Sequence, residues 1–108
     1  MRPLLHGDVV AAARALLAAP AETRESIMVD MLTAADIADD YRKTLGRAHP
    51  RHGTGSLMAA ASGWPQPAEP GLDDPDYLAC LICVLSVIRS TREAARNQKG
   101  TRAVWPLS

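Results

Sequence analysis

Two pairs of residues in this chain have the spacing of metal ligands. His49 and His52 are three residues apart, and so are Cys80 and Cys83. Imidazole nitrogens and thiolates hold zinc in tetrahedral sites, so these four side chains could form a zinc-dependent module. Cys80 and Cys83, however, lie inside a strongly apolar segment, where a free cysteine behaves as a small hydrophobe. We therefore favour core cysteines, and we predict neither a metal site nor a cofactor.

The groups that could catalyse a reaction lack the partners that such chemistry needs. Ser56 could pair with His52, but no carboxylate lies nearby in sequence to orient the imidazole. The segment Gly53-Thr54-Gly55-Ser56 lacks the following lysine of a phosphate-gripping loop. We predict that the chain is not an enzyme.

The segment from Tyr77 to Ile88 is predicted to be a helix that is apolar on every face. Asp74 is a suitable N-cap, and Pro75 suits the first helical position. A surface helix needs only one apolar stripe, so a helix that is apolar all round must be covered from several directions. Because a chain of 108 residues offers little other cover, we expect other copies of the chain to supply part of it.

Two earlier helices are predicted to form a helical hairpin. The first spans Val9–Ala19 with Asp8 as its N-cap, and the second spans Pro20–Leu45 and ends at Gly46. The expected core face of the second helix consists of Ile27, Met31, Ala34, Ala38, Tyr41 and Leu45.

The rest of the chain is predicted to connect this hairpin to the C-terminal helix. A short helix is expected over Ser56–Ser62, and an extended, proline-rich connector over Trp64–Asp73. The C-terminal helix is predicted to span Pro75–Asn97, and no segment alternates as a strand would. The sequence thus predicts an all-α fold, with residues 1–99 as a helical oligomerisation domain and residues 100–108 as a flexible tail.

Self-association is assigned to apolar residues of the second and last helices. The long second helix extends beyond the cover that the first can give, and the last helix is apolar all round. The residues expected to mediate oligomerisation are Met28, Leu32, Leu78, Leu81, Ile82, Leu85 and Ile88.

Basic and acidic side chains, twelve of each, cancel in number but not in position. No acidic residue lies between Tyr41 and Ala68, and only Glu93 lies among the basic residues after Ile88. Phosphate contact needs positioned Lys and Arg without a base-reading motif, whereas the alternative is a solvated face that compensates helix dipoles. The candidate DNA contacts are first Arg42, Lys43, Arg47 and Arg51, and second Arg89, Arg92 and Arg96.

The C-terminal segment carries an anchor that a merely solvated tail does not need. Val104, Trp105, Pro106 and Leu107 could dock into a partner, or back onto their own domain. At the other end, no apolar signal-peptide core follows Met1–Leu5, and no segment is long enough to span a bilayer. We therefore expect a cytoplasmic protein without a membrane partner.

Several segments together resemble a known family. They are Met1–Val9, Tyr41-Arg42, Gly46–Arg51, Gly55–Ala61 and Leu72–Tyr77, and the block from Gly46 to Met58 is the most distinctive. They are similar to the small proteins encoded at the head of the gene-transfer-agent cluster of alphaproteobacteria, which are regarded as the small terminases of these phage-like particles.

The resemblance implies a helical ring that binds double-stranded DNA and recruits and regulates a large terminase, the ATPase and nuclease that packages DNA. It also implies that the C-terminal segment, with Trp105, engages that large subunit. Phage small terminases usually carry an N-terminal helix-turn-helix domain, whereas this chain begins almost directly with its core helices. We therefore expect little sequence specificity; the alternative is a small self-associating interaction or regulatory protein that does not bind DNA.

Overall fold

The computed structural model describes the backbone of residues 1–104 and the side chains of residues 1–97. Within this part of the chain the regular structure is helical, which confirms the predicted all-α fold. A 3₁₀ turn at Ala21–Thr23 separates the first two α-helices. The α-helices are α1 His6–Leu17, α2 Arg24–Leu45, α3 Leu57–Ala61 and α4 Pro75–Val104.

The start of α1 differs from the prediction, because Asp8 lies inside the helix and is not its N-cap. Leu5 occupies the N-cap position, and the Leu5 amide donates to the Asp8 carboxylate at 2.9 Å. The other carboxylate oxygen accepts the Met58 amide at 2.9 Å, at the start of α3. One buried aspartate thus satisfies amides at the starts of two helices, a contact that joins residues 50 apart in sequence.

α2 begins at Arg24 and not at the predicted Pro20, because a 3₁₀ turn at Ala21–Thr23 precedes it, but its predicted end is confirmed. α2 finishes at Gly46, whose φ of 72° is the left-handed conformation that favours glycine at a helix end. Ser56 caps α3 by accepting the Ala59 amide at 3.0 Å. The Trp64–Asp73 connector has no regular helix or strand, as predicted.

The core lies between α1, α2 and one side of α4, and α3 packs against α1 and α2. Leu16, Met31, Leu57, Tyr77 and other side chains fill it, and alanines on α1 and α2 let the helices approach closely. The predicted core face of α2 is wrong in part. Met31 and Ala38 are buried, but Leu45 is exposed, and the other buried residues of α2 are Arg24, Met28, Leu32, Ala35 and Asp39.

Met28 and Leu32 were therefore assigned wrongly to oligomerisation. They are 0% and 6% exposed, respectively, inside the core of a single chain. α1 and α4 both pack on this side of α2, and a hydrophobic period alone does not tell which of two neighbouring stripes faces them.

Arg24 holds three helix ends together at the edge of the core. Its Nε donates to the carbonyl oxygens of Leu16 at 2.9 Å and Ala19 at 3.2 Å. Its two terminal nitrogens donate to the carboxylate oxygens of Asp76 at 2.8 and 3.2 Å. The guanidinium thus joins the end of α1, the start of α2 and the start of α4, with only 8% of the residue exposed.

The connector is fastened to α1 by side chains that bond to backbone. Arg14 donates to the carbonyl oxygens of Gln66 and Pro67, and Gln66 donates to those of Ala11 and Ala61. These bonds replace the ladder that a strand or helix would provide for a segment with several prolines. They set the path by which the chain reaches the start of α4.

α4 continues past the predicted end at Asn97 to Val104, so its backbone takes in the first residues of the segment expected to be a tail. Among the described residues, no helix has the length and apolar character needed to cross a membrane.

We predict that Arg24→Ala destabilises the fold by about 2–3 kcal/mol, because it removes four hydrogen bonds, two of them to carbonyls at the end of α1 and two to the Asp76 carboxylate. Arg24→Lys should recover only part of this loss, because an ammonium lacks the planar fork that matches a carboxylate. Urea denaturation followed by circular dichroism measures both variants.

The matched control is Arg92→Ala, which removes the same side chain from an exposed position on α4. It should change the free energy of unfolding by no more than about 0.5 kcal/mol. Equal stability of the two alanine variants would show that Arg24 does not hold the helix ends.

Candidate functional site

α4 has a line of large apolar side chains that the described part of the chain leaves exposed. Leu78, Ile82 and Leu85 are 39%, 63% and 54% exposed, respectively. Their spacing of four and then three residues places them on one face of the helix. We call these three residues the α4 ridge. All three were predicted to mediate oligomerisation, and because they are exposed they could contact another copy of the chain.

The opposite face of α4 belongs to the core. Tyr77, Cys80 and Val84 are fully buried there. Leu81 and Ile88, also predicted to mediate oligomerisation, are partly buried and pack against the core cluster, so they contribute mainly to the single chain. Apolar residues thus occupy both faces of this part of α4, as predicted: one face packs into the core, and the other is exposed.

A groove of about 440 Å³ runs beside the ridge, between α2 and α4. Val29 and Glu25 of α2 line one wall, and Ala79, Ile82 and Ser86 line the other. Val29 is 48% exposed and was not among the predicted interface residues. Val29 directly follows the buried Met28, so a correct placement of the core stripe of α2 would have indicated that Val29 lies beside that stripe at the surface.

A second groove of about 340 Å³ lies on the other side of the ridge, between α1 and α4. Val9, Val10, Leu81 and Leu85 line it, together with Leu72 of the connector. An apolar ridge between two grooves offers both a projection and recesses to a partner helix.

Of the four residues in the first group of predicted DNA contacts, two pair with Asp39. This carboxylate is almost fully buried, and it pairs with the Arg42 guanidinium at 2.9 Å and the Lys43 ammonium at 3.1 Å. The amino group of Met1 lies 3.1 Å from the same carboxylate. These cations, Arg42 foremost, hold the pKa of Asp39 well below its usual range. Arg42 and Lys43 therefore compensate a buried charge within the chain.

Arg47 and Arg51, by contrast, are exposed on the loop that follows α2. The loop is closed by paired backbone bonds between His49 and Gly53 at 2.8 and 3.1 Å. The His49 ring accepts the Arg51 amide at 3.0 Å and stacks on His52 with 4.7 Å between ring centroids. This histidine pair therefore orders the loop and presents two arginines to solvent.

The second group of predicted DNA contacts lies on an exposed stretch of α4. Every residue from Arg89 to Asn97 is exposed, and we call this the α4 basic segment. Arg89 pairs with Glu93 at 2.9 Å, an exposed contact that contributes little stability. No ion pair within the described residues engages Arg92 or Arg96. Their spacing of four residues gives them a shared face from which they can contact phosphates.

The two candidate metal pairs are not combined into one site. The described side chains contain no cluster of three or more His, Cys, Asp or Glu residues that could hold a metal ion. Burial raises the pKa of both thiols, so Cys80 and Cys83 remain protonated and unreactive near neutral pH. The structure places Cys80 in the core and leaves Cys83 half-buried.

The predicted large-terminase contacts lie at the limit of the described residues. Val104 is the last residue of α4, and only its backbone is described. Trp105, Pro106 and Leu107 lie outside the described part of the chain.

Comparison with known proteins yields a family for most of this structure. A family described as a domain of unknown function, DUF7742, matches residues 2–88. The chain belongs to the DUF7742 family. The match ends at Ile88, so it includes the α4 ridge and stops where the α4 basic segment begins. Searches of curated proteins and of solved structures gave no significant match.

We predict that Ile82→Gln raises the dissociation constant of self-association by at least roughly tenfold, because it replaces the most exposed ridge side chain with a polar one of similar length. The fold should be retained, since the side chain contributes little to the core. Sedimentation velocity across a concentration series measures the change.

Ile37→Gln is the matched control, because Ile37 is 47% exposed on α2 and lines neither groove. It should leave the dissociation constant unchanged. If both variants weaken self-association equally, or if neither does, the ridge is not the interface.

Acid should destabilise the fold through Asp39 and Asp76, whose pKa values are lowered by Arg42 and Arg24, respectively. In an unfolded chain these two carboxylates become protonated at about pH 3.9. The folded chain does so only at lower pH, so the stabilisation is complete above that range and is lost as the pH falls below it. Asp39→Asn should lower stability at pH 7 and flatten the acid limb of a stability-versus-pH profile.

Asp30→Asn removes an exposed carboxylate of α2 and is the control for the change in net charge. It should leave the urea midpoint at neutral pH nearly unchanged. A midpoint for Asp39→Asn equal to that of Asp30→Asn would contradict the role assigned to the buried carboxylate.

Proposed function

We propose that this chain is a non-catalytic, oligomeric DNA-packaging adaptor, the small terminase subunit of a gene transfer agent. In this role it binds double-stranded DNA with little sequence specificity and recruits and regulates a large terminase. The observation that carries the proposal is the division of α4 into an exposed apolar ridge and an exposed basic segment on one continuous helix.

The ridge supports the assembly part of the proposal. A soluble monomer rarely leaves several large aliphatic side chains exposed in one line, beside grooves that could receive a second helix. Ile82 and Leu85 would be among the residues buried in an oligomeric ring, and Val29 would extend the same surface onto α2. Packing adaptors of this kind act by assembly, which needs surfaces rather than a catalytic constellation.

The basic segment supports the DNA part. Arg92 and Arg96 are exposed and form no ion pair with the side chains that the structure describes, and Arg47 and Arg51 are presented by an ordered loop. Neither pair lies in a helix-turn-helix, so contact would be with phosphates and not with base edges. We therefore favour these four arginines over Arg42 and Lys43, which already pair with Asp39.

The proposed large-terminase contact is the segment Val104, Trp105, Pro106 and Leu107. Its support is compositional: a tryptophan flanked by valine and proline suits an anchor in a partner's groove. This part of the proposal is independent of the ridge and of the basic segment.

We predict that Arg92→Ala combined with Arg96→Ala weakens DNA binding equally across unrelated sequences. The slope of log binding constant against log salt concentration should become shallower by about 2, because two phosphate contacts are lost. Mobility shifts at several salt concentrations, with duplexes of two unrelated sequences, provide the measurement.

Arg42→Ala combined with Lys43→Ala is the internal comparison and should change the slope less, because both side chains already pair with Asp39. A sequence-dependent loss would contradict phosphate contact. If the unaltered chain produces no mobility shift at low salt, the alternative function is favoured, a self-associating helical interaction protein. Two observations support this alternative: the net charge is neutral, and Arg42 and Lys43 already pair with Asp39.

A further inference from the structure

We infer that His49 is a positioning residue whose neutral ring orders the loop tip that carries Arg51, and that protonation of this ring in mild acid releases the tip. This role rests on the proposed function where it concerns DNA, because Arg51 is one of the proposed phosphate contacts. It adds a residue that acts through Arg51, and it makes that contact depend on pH.

The tip of the loop, which comprises Pro50, Arg51 and His52, obtains its backbone hydrogen bonds from one side chain. Proline has no amide hydrogen to donate. The amides of Arg51 and His52 both donate to the Nδ1 atom of His49, at 3.0 and 3.2 Å, respectively. Within the described residues these two amides make no other hydrogen bond. The backbone pair between His49 and Gly53 closes the loop, but the imidazole sets the conformation of its tip.

The two bonds fix the protonation state of the ring. Nδ1 of His49 can accept an amide hydrogen only while it carries no hydrogen itself, so the ordered loop requires a neutral ring with its hydrogen on Nε2. Imidazole is the side chain that ordinarily gains a proton between about pH 8 and 5. The added hydrogen would lie on Nδ1 and point at two other N–H donors. Protonation therefore removes both bonds of the tip at once.

The titratable groups around this ring come from α2 and from the loop itself. Tyr41 of α2 meets the ring edge-on, with 4.8 Å between centroids, and His52 stacks on it at 4.7 Å. At the same end of α2, Asp39 is buried and already pairs with three other cations, and Asp40 is exposed. The loop contains no acidic residue, and neither does α3, which packs beside it. No ion pair within the described residues would thus hold a charged His49 in its present place.

Release of the tip affects the two loop arginines differently. Arg51 belongs to the tip, and its own amide is one of the two that the ring accepts. Arg47 directly follows Gly46, which ends α2, so its position depends on the helix end and not on the imidazole. A disordered tip must be ordered again before it can hold a phosphate, and this ordering costs free energy. We therefore expect the contribution of Arg51 to DNA binding to fall in mild acid and that of Arg47 to persist.

A titration of the loop amides tests this role without DNA. In two-dimensional proton–nitrogen NMR spectra of the full chain, the amide signals of Arg51 and His52 should move together between about pH 7.5 and 5. His49→Asn is the conservative variant, because an asparagine side-chain oxygen accepts the amide two residues on and does not titrate in this range. In His49→Asn both signals should stay at the positions of bonded amides.

Two results would overturn the role of His49. One is a pair of amide signals that does not respond to pH in the unaltered chain, and the other is an equal response in His49→Asn. His52→Gln is the matched control, because it removes the other ring of the stack and keeps the backbone amide. The Arg51 amide should still titrate in His52→Gln; loss of that titration would assign the proton to the wrong ring. Circular dichroism checks that the helices of each variant are retained.

DNA binding at about pH 7.5 and about pH 5.5 tests the consequence for phosphate contact. Arg51→Ala should weaken binding roughly eightfold at about 0.1 M salt and the higher pH, because one phosphate contact releases about one counterion. At the lower pH the loss should be less than about twofold. Arg47→Ala should cost the same at both pH values, and so should Arg51→Ala in a His49→Asn background. An equal cost of Arg51→Ala at both pH values in the unaltered background would break the link between the ring and Arg51.

Failure of this role is distinguishable from failure of the proposed function. Loop amides that titrate as expected in a chain that does not bind DNA would reject the packaging role alone. DNA binding that depends on Arg51 in a chain whose loop amides do not titrate would reject the role of His49 alone.

Discussion

The buried guanidinium of Arg24 is the contact on which the placement of the helices depends. It bonds to two carbonyls where α1 ends and to both carboxylate oxygens of Asp76 where α4 begins. A charge this well buried must be compensated, and its partners here all lie at helix ends. The direction in which α4 leaves the core, and therefore which of its faces remains exposed, is constrained at this point.

Two aspartates play a similar part elsewhere in the fold. Asp8 bonds to amides at the starts of α1 and α3, and Asp39 gathers Met1, Arg42 and Lys43 around one carboxylate. Gly55, with φ of 100°, lies so close to Asp39 that a Cβ there would sit 2.7 Å from the Asp39 Cα. Because buried ionic groups fix the loops against α1 and α2, the small apolar core need not do so alone.

Much of the local structure could be predicted from the sequence, because its causes are local. Gly46 ends α2, Ser56 caps α3, and Pro75 opens α4, each by a backbone preference or by a bond to a residue three or four positions away. The exposed Ile82 and Leu85 could also be anticipated, since a helix that is apolar all round cannot bury every face in so short a chain. Their contact with a second copy is part of the proposed assembly.

The errors arose where a choice depended on contacts between distant residues. Met28 and Leu32 have the same periodicity whether they face another copy or the core, and only the packing of α1 and α4 against α2 buries them. Asp39, by contrast, pairs with Arg42 and Lys43 at spacings of three and four residues, which the sequence could have indicated; only tertiary packing buries Asp39 and brings the amino group of Met1 to it. The sequence by itself determined the helices, their ends and the apolar character of α4. Tertiary structure alone decided which stripes and which carboxylate are buried, because burial is a property of neighbours in space.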